Sequence, residues 1–446
     1  MDVVIKILQL LLSLSILIIL HEGGHFLFAR LFKTRVEKFY LFFDPWFSLF
    51  KLKKGDTEYG IGWLPLGGYV KISGMIDESM DKEAMKSPPK PYEFRAKPAW
   101  QRLLIMLGGV TVNLILGFLI YSAVLFTWGE KYLPNENIKD GLWVTDSLMM
   151  DMGMENGDKV LTVDNEPVKK YSDIMPELLN GGTVTVEREG KIKEINLPEN
   201  FAGQLVENES MMVLYPRIPF FIQAVPDSSV NSNSGLKPKD KVLAINGEEI
   251  KYYDQAANHL KQYSGDSINL LIEREDSTHN VGVYITDNGQ MEVQAAILPP
   301  DDLYKLGVYE YRVKSYGPFE AIPAGFNKAW STLSSYVQQF KLILQPKTGA
   351  YKGLGGFGTI MSLFPASWNW QAFWELTAFL SLILAFMNIL PIPALDGGHV
   401  MFLLYEIVAG RKPNEKFMEY AQLIGMALLL TLLLYANGMD VLRGCT

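Results

Sequence analysis

Apolar residues are concentrated in a few long runs without charge. The first covers residues 7–20 and continues, after a short polar interruption, to residue 29; the others cover residues 103–128, 376–395 and 421–439. Each run is close to or above the roughly 20 residues that a helix needs to cross a bilayer. The first run has a single lysine before it and no small-residue cleavage site after it, so it is interpreted as a retained helix and not a signal peptide. The pattern predicts four transmembrane helices.

Basic residues indicate how these helices are oriented. Lysines and arginines are frequent between the first two runs, and Arg411, Lys412 and Lys416 precede the fourth. Cytoplasmic loops carry such an excess of positive charge. Both termini and the long region from about residue 129 to 371 are therefore expected on the opposite side, which in a bacterium is the periplasm.

The region between the second and third runs contains an internal repeat. Residues 158–161 read Asp-Lys-Val-Leu, as do residues 240–243, and both copies continue to a strand-like segment that ends in Glu-Arg-Glu, at residues 187–189 and 273–275. Such self-similarity indicates two copies of one small domain. A β-rich spacer that binds nothing is the alternative for each copy.

The second copy resembles a bacterial PDZ domain in residues 223–228 and 240–247. A PDZ domain accepts an extended peptide at an exposed strand edge. We expect PDZ domain 1 at 129–215, although it lacks the Pro-x-Ser element of the second copy, and PDZ domain 2 at 216–305. A linker with an amphipathic helix would occupy 306–371. The apolar stripe of this helix consists of Phe326, Trp330, Leu333, Val337, Phe340 and Leu344. It packs on the membrane surface or on the PDZ pair, or, as the alternative, it is part of an ordinary core.

One motif in the first apolar run suggests catalysis. Residues 21–25 read His-Glu-Gly-Gly-His, and on a helix His21 and His25 lie on the same face. Two imidazoles at this spacing can bind Zn²⁺ while Glu22 acts on a water molecule. Ionisable residues at membrane depth are costly unless they are paired or bind a metal. A solvated helix end near the cytoplasmic surface is the less favoured alternative.

The third apolar run offers a third metal ligand. Asp396 follows Pro391 and Pro393, which lack backbone donors and disfavour helix before them, so this segment is predicted to be unwound. Unwound backbone at membrane depth requires cover by protein or water, which predicts a cleft. Asn388, and Asn113 in the second run, would bind an extended substrate backbone or stabilise oxyanion charge, or else join helices. His399 could be a fourth ligand, but a supporting or capping role is expected.

Together these motifs resemble the site-2 protease family of intramembrane metalloproteases. The resemblance rests on residues 21–25, on Gly109 with Asn113, and on residues 388–397, and the PDZ pair resembles the branch of the regulator of sigma-E protease (RseP). Residues 64–71 resemble a segment that forms a re-entrant β-hairpin beside the cleft, at about residues 50–75; a surface hairpin is the alternative from the residues alone. This resemblance implies substrate binding by Gly67, Gly68 and Tyr69.

Two positions depart from the family pattern. Gly23 stands where a bulky apolar residue is common, and residues 42–45, Phe-Phe-Asp-Pro, replace an expected Gly-Phe-Gly-type loop. Neither departure touches a predicted ligand. The second one leaves the shape of the cleft floor open.

Composition removes other classes of function. The net charge of −8 argues against a nucleic-acid binder. One cysteine, Cys445, excludes an intramolecular disulfide and a cysteine-based metal site. The predicted fold is therefore a multi-pass α-helical membrane protein with four transmembrane helices and two inserted periplasmic PDZ domains of α+β type. Residues 1–128 and 372–446 would form the membrane core.

The expected function is zinc-dependent cleavage within the transmembrane segments of single-span proteins. By the resemblance, substrates would be an anti-sigma factor already trimmed by another protease, or signal-peptide remnants, with the PDZ pair as a size filter. The protein would be a monomer in the bacterial inner membrane, with its active site in the cytoplasmic half. The alternatives are a membrane-anchored PDZ adaptor with an inactive or structural metal centre and, more weakly, a transporter, in which broken helices also occur.

Overall fold

The computed structural model describes residues 2–65, 67–75, 88–179, 181–207, 214–275, 277–295, 308–345 and 350–444. The chain divides into two compact units. Unit 1 comprises residues 1–129, 315–341 and 353–446, and unit 2 comprises residues 130–314 and 342–352. Cys445 and the predicted boundary at residue 305 lie outside the described residues.

The helices follow one another along the chain as α1 (Asp2–Leu31), α2 (Ala99–Trp128), α3 (Ser147–Asp151), α4 (Tyr171–Leu178), α5 (Phe201–Glu207), α6 (Tyr253–Leu260), α7 (Pro318–Ile343), α8 (Phe357–Ser362), α9 (Trp370–Ile389), α10 (Asp396–Ala409) and α11 (Glu415–Gly444). The first eleven strands are β1 (Val36–Leu41), β2 (Phe43–Lys54), β3 (Thr57–Leu64), β4 (Tyr69–Ile72), β5 (Glu130–Tyr132), β6 (Leu142–Val144), β7 (Lys159–Val163), β8 (Glu166–Pro167), β9 (Gly182–Arg188), β10 (Lys191–Leu197) and β11 (Leu214–Pro216). The remaining strands are β12 (Phe220–Ala224), β13 (Lys241–Ile245), β14 (Glu248–Glu249), β15 (Ser267–Arg274), β16 (Ser277–Tyr284), β17 (Gln294–Ala295) and β18 (Arg312–Lys314).

Four of the described helices are long and apolar enough to cross a membrane, which confirms the predicted number. They contain the segments Val3–Leu31, Ala99–Trp128, Trp370–Ile389 and Lys416–Leu442. The third differs from the prediction, which extended it to Leu395. It ends at Ile389 because Pro391 and Pro393 lack N–H donors, and the chain stays non-helical until α10 begins at Asp396.

Helices α1, α2 and α9 pack closely in unit 1. A Cβ at Gly24 of α1 would lie 2.3 Å from the backbone oxygen of Gly108 in α2, and one at Gly117 would lie 2.7 Å from Leu382 of α9. Small residues therefore permit close helix contact, as is common in membrane bundles. By contrast, α11 leaves most of its apolar surface exposed, including Ile424 and Leu434.

The first four strands form one sheet in unit 1, in the order β2-β3-β1-β4. The hairpin consists of β2 and β3, whereas β1 pairs with β3 in parallel and with β4 in antiparallel register. Strands β3 and β4 therefore do not pair with each other, so residues 64–71 are not a hairpin of their own, whereas the β2–β3 hairpin falls partly within the predicted range of about residues 50–75. Pro65 cannot donate a hydrogen bond, and Gly67 adopts a positive φ of 148°, which suits a crossing segment and not a tight turn.

Helix α7 packs most closely through small residues, although Phe326 and Phe340 of the predicted stripe also contact the rings of Phe118 and Phe386. Its buried residues are Ala321, Gly325 and Ala329, whereas Phe326 and Trp330 of the stripe are 55% and 65% exposed. Gly325 approaches Ser122 of α2 so closely that a Cβ would lie 2.1 Å from the hydroxyl oxygen. Exposed Phe326 and Trp330 do not fit an ordinary core, and contact of the stripe with the membrane stays a prediction.

Unit 2 contains two regions with the same order of elements. In the first, β7, β8, α4, β9 and β10 follow one another, and in the second the order is β13, β14, α6, β15 and β16. Their sheets have the strand orders β10-β9-β7-β8 and β16-β15-β13-β12-β17, with β14 paired to β13. Each region has its own buried apolar cluster. The structure thus gives both copies of the sequence repeat a common fold.

A buried ion pair recurs in the two copies. Arg188 donates two hydrogen bonds of 2.6 Å to Asp158, and Arg274 donates bonds of 2.7 and 2.6 Å to Asp240. Both aspartates have fully buried side chains. Each arginine also donates to a backbone oxygen, that of Gly153 or Gly235. In each copy, the aspartate of Asp-Lys-Val-Leu thus pairs with the arginine of Glu-Arg-Glu, which explains why the two motifs repeat together.

Two predicted domain boundaries cut through paired strands. The boundary at residues 215 and 216 falls inside β11, which pairs with β6. The predicted linker from residue 306 includes β18, which pairs with β5 at the start of unit 2. Sequence periodicity could not show these pairings because each strand is only three residues long and its partner is distant in sequence.

Candidate metal centre

The two histidines of the His-Glu-x-x-His motif lie on one face of α1. Their ring centroids are 4.9 Å apart at an interplanar angle of 80°. Both residues are buried, with 7% and 6% of their surface exposed. Helical spacing of four residues places His21 and His25 in contact, as the sequence predicts.

Asp396 completes a cluster of three donor atoms. It is the first residue of α10, and its Oδ2 lies 3.2 Å from Nε2 of His21 and 3.2 Å from Nε2 of His25. The two Nε2 atoms are 3.3 Å apart. The structure therefore brings the three predicted metal ligands together although Asp396 is distant in sequence.

The triangle of donor atoms fits a zinc-sized cation. Zinc binds nitrogen and oxygen at about 2.0–2.2 Å, and tetrahedral ligands at that distance are about 3.3 Å apart. Among the described residues, Oδ2 of Asp396 is buried and makes no well-oriented hydrogen bond, although both imidazoles are close to it. Three electron-rich atoms at this separation require a cation or a shared proton between them.

A backbone contact orients His25 for metal binding. Its Nδ1 lies 2.8 Å from the backbone oxygen of Ile105 in α2. A carbonyl oxygen can only accept, so Nδ1 carries the proton and donates it. The lone pair of Nε2 is thereby directed to the cluster, which is the arrangement typical of histidine ligands.

Asn113 contacts the other histidine. This residue of α2 is 0% exposed, its side-chain nitrogen lies 3.1 Å from Nδ1 of His21, and its Oδ1 has no hydrogen-bond partner among the described residues. Turning the carboxamide by 180° would let Oδ1 accept the Nδ1 proton of His21 and leave Nε2 free to bind metal. Its complete burial suits this role, and the predicted contact of Asn113 with substrate stays a prediction.

Asn388 lies on the opposite side of the same ring. It is half-buried near the end of α9, and its side-chain nitrogen is 3.4 Å from Nε2 of His21. It therefore faces the donor cluster and is close enough to contact a bound oxygen there. The predicted role of Asn388 in binding substrate stays a prediction.

A cavity of about 1130 Å³ reaches the donor cluster. Its lining includes His21, Glu22, His25, Asp396 and the strand β4. Glu22 is half-buried next to the two histidines. A carboxylate and three metal donors thus line one accessible cavity.

Glycine at residue 68 allows the sheet to approach the motif. A Cβ there would lie 2.5 Å from Ile18 and 2.6 Å from the backbone oxygen of Tyr40, and 3.6 Å from Cγ of Glu22. Gly68 and Tyr69 line the cavity. Gly67 packs instead against Phe43, whose ring would be 3.0 Å from an added Cβ.

A comparison with family models identifies the chain. The model described as Peptidase family M50 matches residues 9–432, which include Glu22 and the three donor residues. The chain belongs to Peptidase family M50. This is the site-2 protease family that the sequence motifs resemble, and the predicted class of enzyme, a metalloprotease, is confirmed.

Curated relatives of this family M50 chain match it along almost its full length. A protein of Neisseria meningitidis, named provisionally as a zinc metalloprotease, is 29% identical over 98% of this chain and 99% of its own. The regulator of sigma-E protease RseP of Escherichia coli is 26% identical over 95% of both chains. The regulator of sigma E protease of Haemophilus influenzae is 28% identical over 97% of this chain and 98% of its own.

Among solved structures, the PDZ domain of the SdrC-like protein of Listeria monocytogenes matches 19% of this chain and 92% of its own. The identity is 16% and the TM-score is 0.16, which is too low to support an argument about the fold.

The M50 site has further polar contacts that the sequence did not predict. His399 lies in the cavity with its Nε2 3.2 Å from the side-chain nitrogen of Gln422 in α11, so it contacts that helix and is outside the cluster of three donors. Arg102 donates a 2.5 Å hydrogen bond to Glu406 of α10. Arg102 directly precedes the second apolar run, and Glu406 is the one charge among the apolar residues 400–408; these positions are the signal that could have suggested a pair.

Proposed function

We propose that this chain is an intramembrane zinc endopeptidase that cleaves the transmembrane segments of single-span membrane proteins. The observation that carries the proposal is the meeting of Nε2 of His21, Nε2 of His25 and Oδ2 of Asp396 within 3.3 Å of one another beside Glu22. These residues belong to α1 and α10 in a unit with four helices of membrane-spanning length. Membership in family M50 and the zinc metalloprotease names of relatives support the same chemistry.

The proposed roles follow from what each side chain can do. His21, His25 and Asp396 hold the ion, and a zinc ion bound there would supply a Lewis acid that acidifies a water molecule and polarises the scissile carbonyl. Glu22 takes the proton of that water as a general base and delivers it to the leaving amine. Asn113 and the Ile105 backbone keep the two imidazoles in the required orientation.

Strand β4 is the proposed docking edge for an unwound substrate. The backbone carbonyl groups of a helical substrate accept hydrogen bonds within the helix and are not accessible, so the substrate must unwind before hydrolysis. Among the described strands, β4 has β1 as a neighbour on one side and forms the sheet edge on the other. Backbone groups at this edge, near Gly68 and Tyr69 in the cavity, would pair with the extended segment. Asn388 would contact a substrate oxygen near the ion.

The proposed orientation places the active site in the cytoplasmic half of the bacterial inner membrane. The basic excess near Arg95 and Lys412 supports a cytoplasmic position, and Lys412 donates to the backbone oxygen of Arg95, so these two loops are on one side of unit 1. At the other ends of the spans, Lys6 donates to Ser362, and Asp440 accepts from the backbone of Thr359 in α8. Both termini and unit 2 would be periplasmic.

The proposed substrates are an anti-sigma factor already trimmed by a first protease and signal-peptide remnants, as in regulated intramembrane proteolysis. The names of the Escherichia coli and Haemophilus influenzae relatives support a role in sigma-E regulation. The two repeated regions of unit 2 would be PDZ domains that exclude substrates with bulky external domains. The enzyme is proposed to act as a monomer.

The first experiment measures zinc content and cleavage of a model transmembrane segment. Purified wild type, Glu22→Gln and Asp396→Ala are compared. Glu375→Gln is the matched control: it makes the same change at a carboxylate of α9 whose ion-pair partner is Lys328 of α7. We expect about one zinc per chain in all except Asp396→Ala, and cleavage only by wild type and Glu375→Gln. Cleavage by none, with zinc absent throughout, would favour the PDZ adaptor. Undiminished cleavage by Glu22→Gln would contradict the role of Glu22.

A separate experiment tests the size filter. Because Glu130 of β5 lies opposite Lys314 of β18, residues 130–314 can be replaced by a short Gly/Ser linker without separating the flanking segments. We expect the variant to cleave both trimmed and intact substrates, whereas wild type cleaves trimmed substrate alone. If the variant cleaves trimmed substrate but still rejects the intact form, the filter hypothesis is wrong.

A further inference from the structure

The segment that replaces the family's glycine-containing loop has an unusual backbone. Phe42 and Trp46 have φ angles of 67° and 74°, although both carry large side chains. Glycine adopts this left-handed region readily, whereas bulky residues do so rarely. Such conformations persist only where surrounding contacts enforce them, and they often occur at functional sites.

Asp44 provides the contacts that hold this segment. Its Oδ1 accepts a 2.9 Å hydrogen bond from the hydroxyl of Tyr69, and its Oδ2 accepts a 3.0 Å bond from Ser48. The next residue, Pro45, accepts a 2.9 Å bond from the indole of Trp63. Both carboxylate oxygens are thus used, one of them to join the segment to β4.

Tyr69 links this contact to the cavity that reaches the donor cluster. Its ring stacks on Tyr40 and Phe43, with centroid distances of 5.3 and 6.1 Å and interplanar angles of 12° and 9°. Lys38 donates to its hydroxyl at 3.5 Å, which leaves the hydroxyl proton for Asp44. Tyr69 begins β4 directly after Gly68, the residue that packs beside Glu22.

We propose that Asp44 is a positioning residue that sets the free edge of β4 against Glu22 through Tyr69. The inference rests on the proposed function in one respect: the ligand of the β4 edge is taken to be an extended segment of the substrate. Asp44 itself touches no reacting atom; its effect is on how firmly that segment is held.

The test measures substrate binding without turnover. In a zinc-loaded Glu22→Gln background, the affinity for a fluorescent model transmembrane peptide is compared for Asp44→Ala, Asp44→Asn, Tyr69→Phe and the double variant Asp44→Ala with Tyr69→Phe. Asp56→Ala is the matched control, since Asp56 is an exposed carboxylate at the far turn of the β2–β3 hairpin, 3.8 Å from Arg35. Hydrogen exchange of the β4 backbone amides is measured in parallel.

We expect Asp44→Ala and Tyr69→Phe each to weaken binding about tenfold, as loss of a hydrogen bond to a charged group does. The double variant should be no weaker than Asp44→Ala alone, and Asp44→Asn should restore part of the affinity because its Oδ1 still accepts from Tyr69. Exchange at β4 should accelerate in Asp44→Ala and stay unchanged in Asp56→Ala. In the active enzyme, KM should rise while kcat and zinc content stay constant.

Three results would overturn the inference: equal binding by Asp44→Ala and Asp56→Ala, additive losses in the double variant, or loss of zinc from Asp44→Ala. Failure of the proposed function has a different signature. If wild type binds no zinc and cleaves nothing, the proposed protease function is wrong. Faster β4 exchange in Asp44→Ala, but not in Asp56→Ala, would still show that Asp44 positions the edge strand.

Discussion

The side-chain nitrogen of Asn113 lies 3.1 Å from Nδ1 of His21, while that of Asn388 lies 3.4 Å from Nε2 of the same ring. Two asparagines therefore contact opposite nitrogens of one imidazole. Only the Nε2 side faces Asp396. The two residues should thus have separable effects, with Asn113 acting on metal affinity and Asn388 on the reaction.

We predict that Asn113→Ala weakens zinc binding by about 10- to 100-fold, the usual effect of removing a residue that orients a histidine ligand. Asn388→Ala should retain zinc and lower kcat. Competition with a chelator of known affinity measures the first effect, and cleavage by zinc-saturated enzyme measures the second. Equal zinc loss in both variants would show that the two asparagines have no such division of roles.

Two glycines near the histidines should differ in their tolerance of a methyl group. A Cβ at Gly109 of α2 would lie 2.5 Å from Nε2 of His25 and 2.6 Å from Cε1 of His21, whereas a Cβ at Gly23 meets nothing within 4 Å. Gly109→Ala should therefore displace a histidine and lose zinc, while Gly23→Ala should bind zinc and cleave like wild type. Metal content of the two purified variants checks this. Normal zinc in Gly109→Ala would mean that α2 can shift away from α1.

The membrane spans and the metal ligands could be predicted because their signals are local. Uncharged runs indicate a span by length alone, and His21 and His25 are one helical turn apart. Asp396 was recognisable as a charge in an apolar run. Proline chemistry also predicted the unwound segment correctly, although the sequence-based span was drawn through it to Leu395.

The parts that could not be predicted depend on contacts between distant residues. Nothing local to residues 64–71 shows that β1 separates β3 from β4. The position of Asn113 along α2 does not reveal that its side chain lies 3.1 Å from Nδ1 of His21, so the sequence could not suggest this contact. In α7, the buried face is formed by Ala321, Gly325 and Ala329, whose importance depends on how closely α2 approaches.

A buried ion pair between α2 and α10 should contribute strongly to stability when one partner is removed. The side chains of Arg102 and Glu406 are 9% and 15% exposed and 2.5 Å apart. Glu406→Ala leaves a buried guanidinium without its partner and should lower the free energy of unfolding by about 3–5 kcal/mol. Combining it with Arg102→Met should restore most of that loss.

Thermal unfolding in detergent measures these differences. The control pair is Arg312 and Glu136, whose side chains are 57% and 67% exposed at 2.7 Å. Exposed pairs contribute at most about 1 kcal/mol, so Glu136→Ala should change little. A Glu406→Ala variant as stable as Glu136→Ala would show that water reaches Arg102 inside the cavity.

The second repeat should lose stability in acid through Asp240. Burial raises the pKa of this carboxyl, but hydrogen bonds from Arg274 and from the backbone of Lys237 outweigh it and hold the pKa below its ordinary value of 3.8. A lowered folded-state pKa gives stability that is complete above the unfolded-state pKa and is lost as the pH falls towards the folded-state value. Asp240→Asn removes this contribution at every pH. We expect it to destabilise the repeat by about 2–3 kcal/mol at pH 7 and by progressively less below about pH 4.

Hydrogen exchange of the amides of β15, the strand that ends at Arg274, follows this local stability in the full chain. The exposed Asp227, in the same repeat, is the matched control, and Asp227→Asn should give the wild-type profile at each pH. The difference in local stability between wild type and Asp240→Asn should therefore shrink as the pH falls from 7 to about 3. A constant difference would mean that protonation of Asp240 does not change the stability, and that the stabilisation comes from packing and not from its charge.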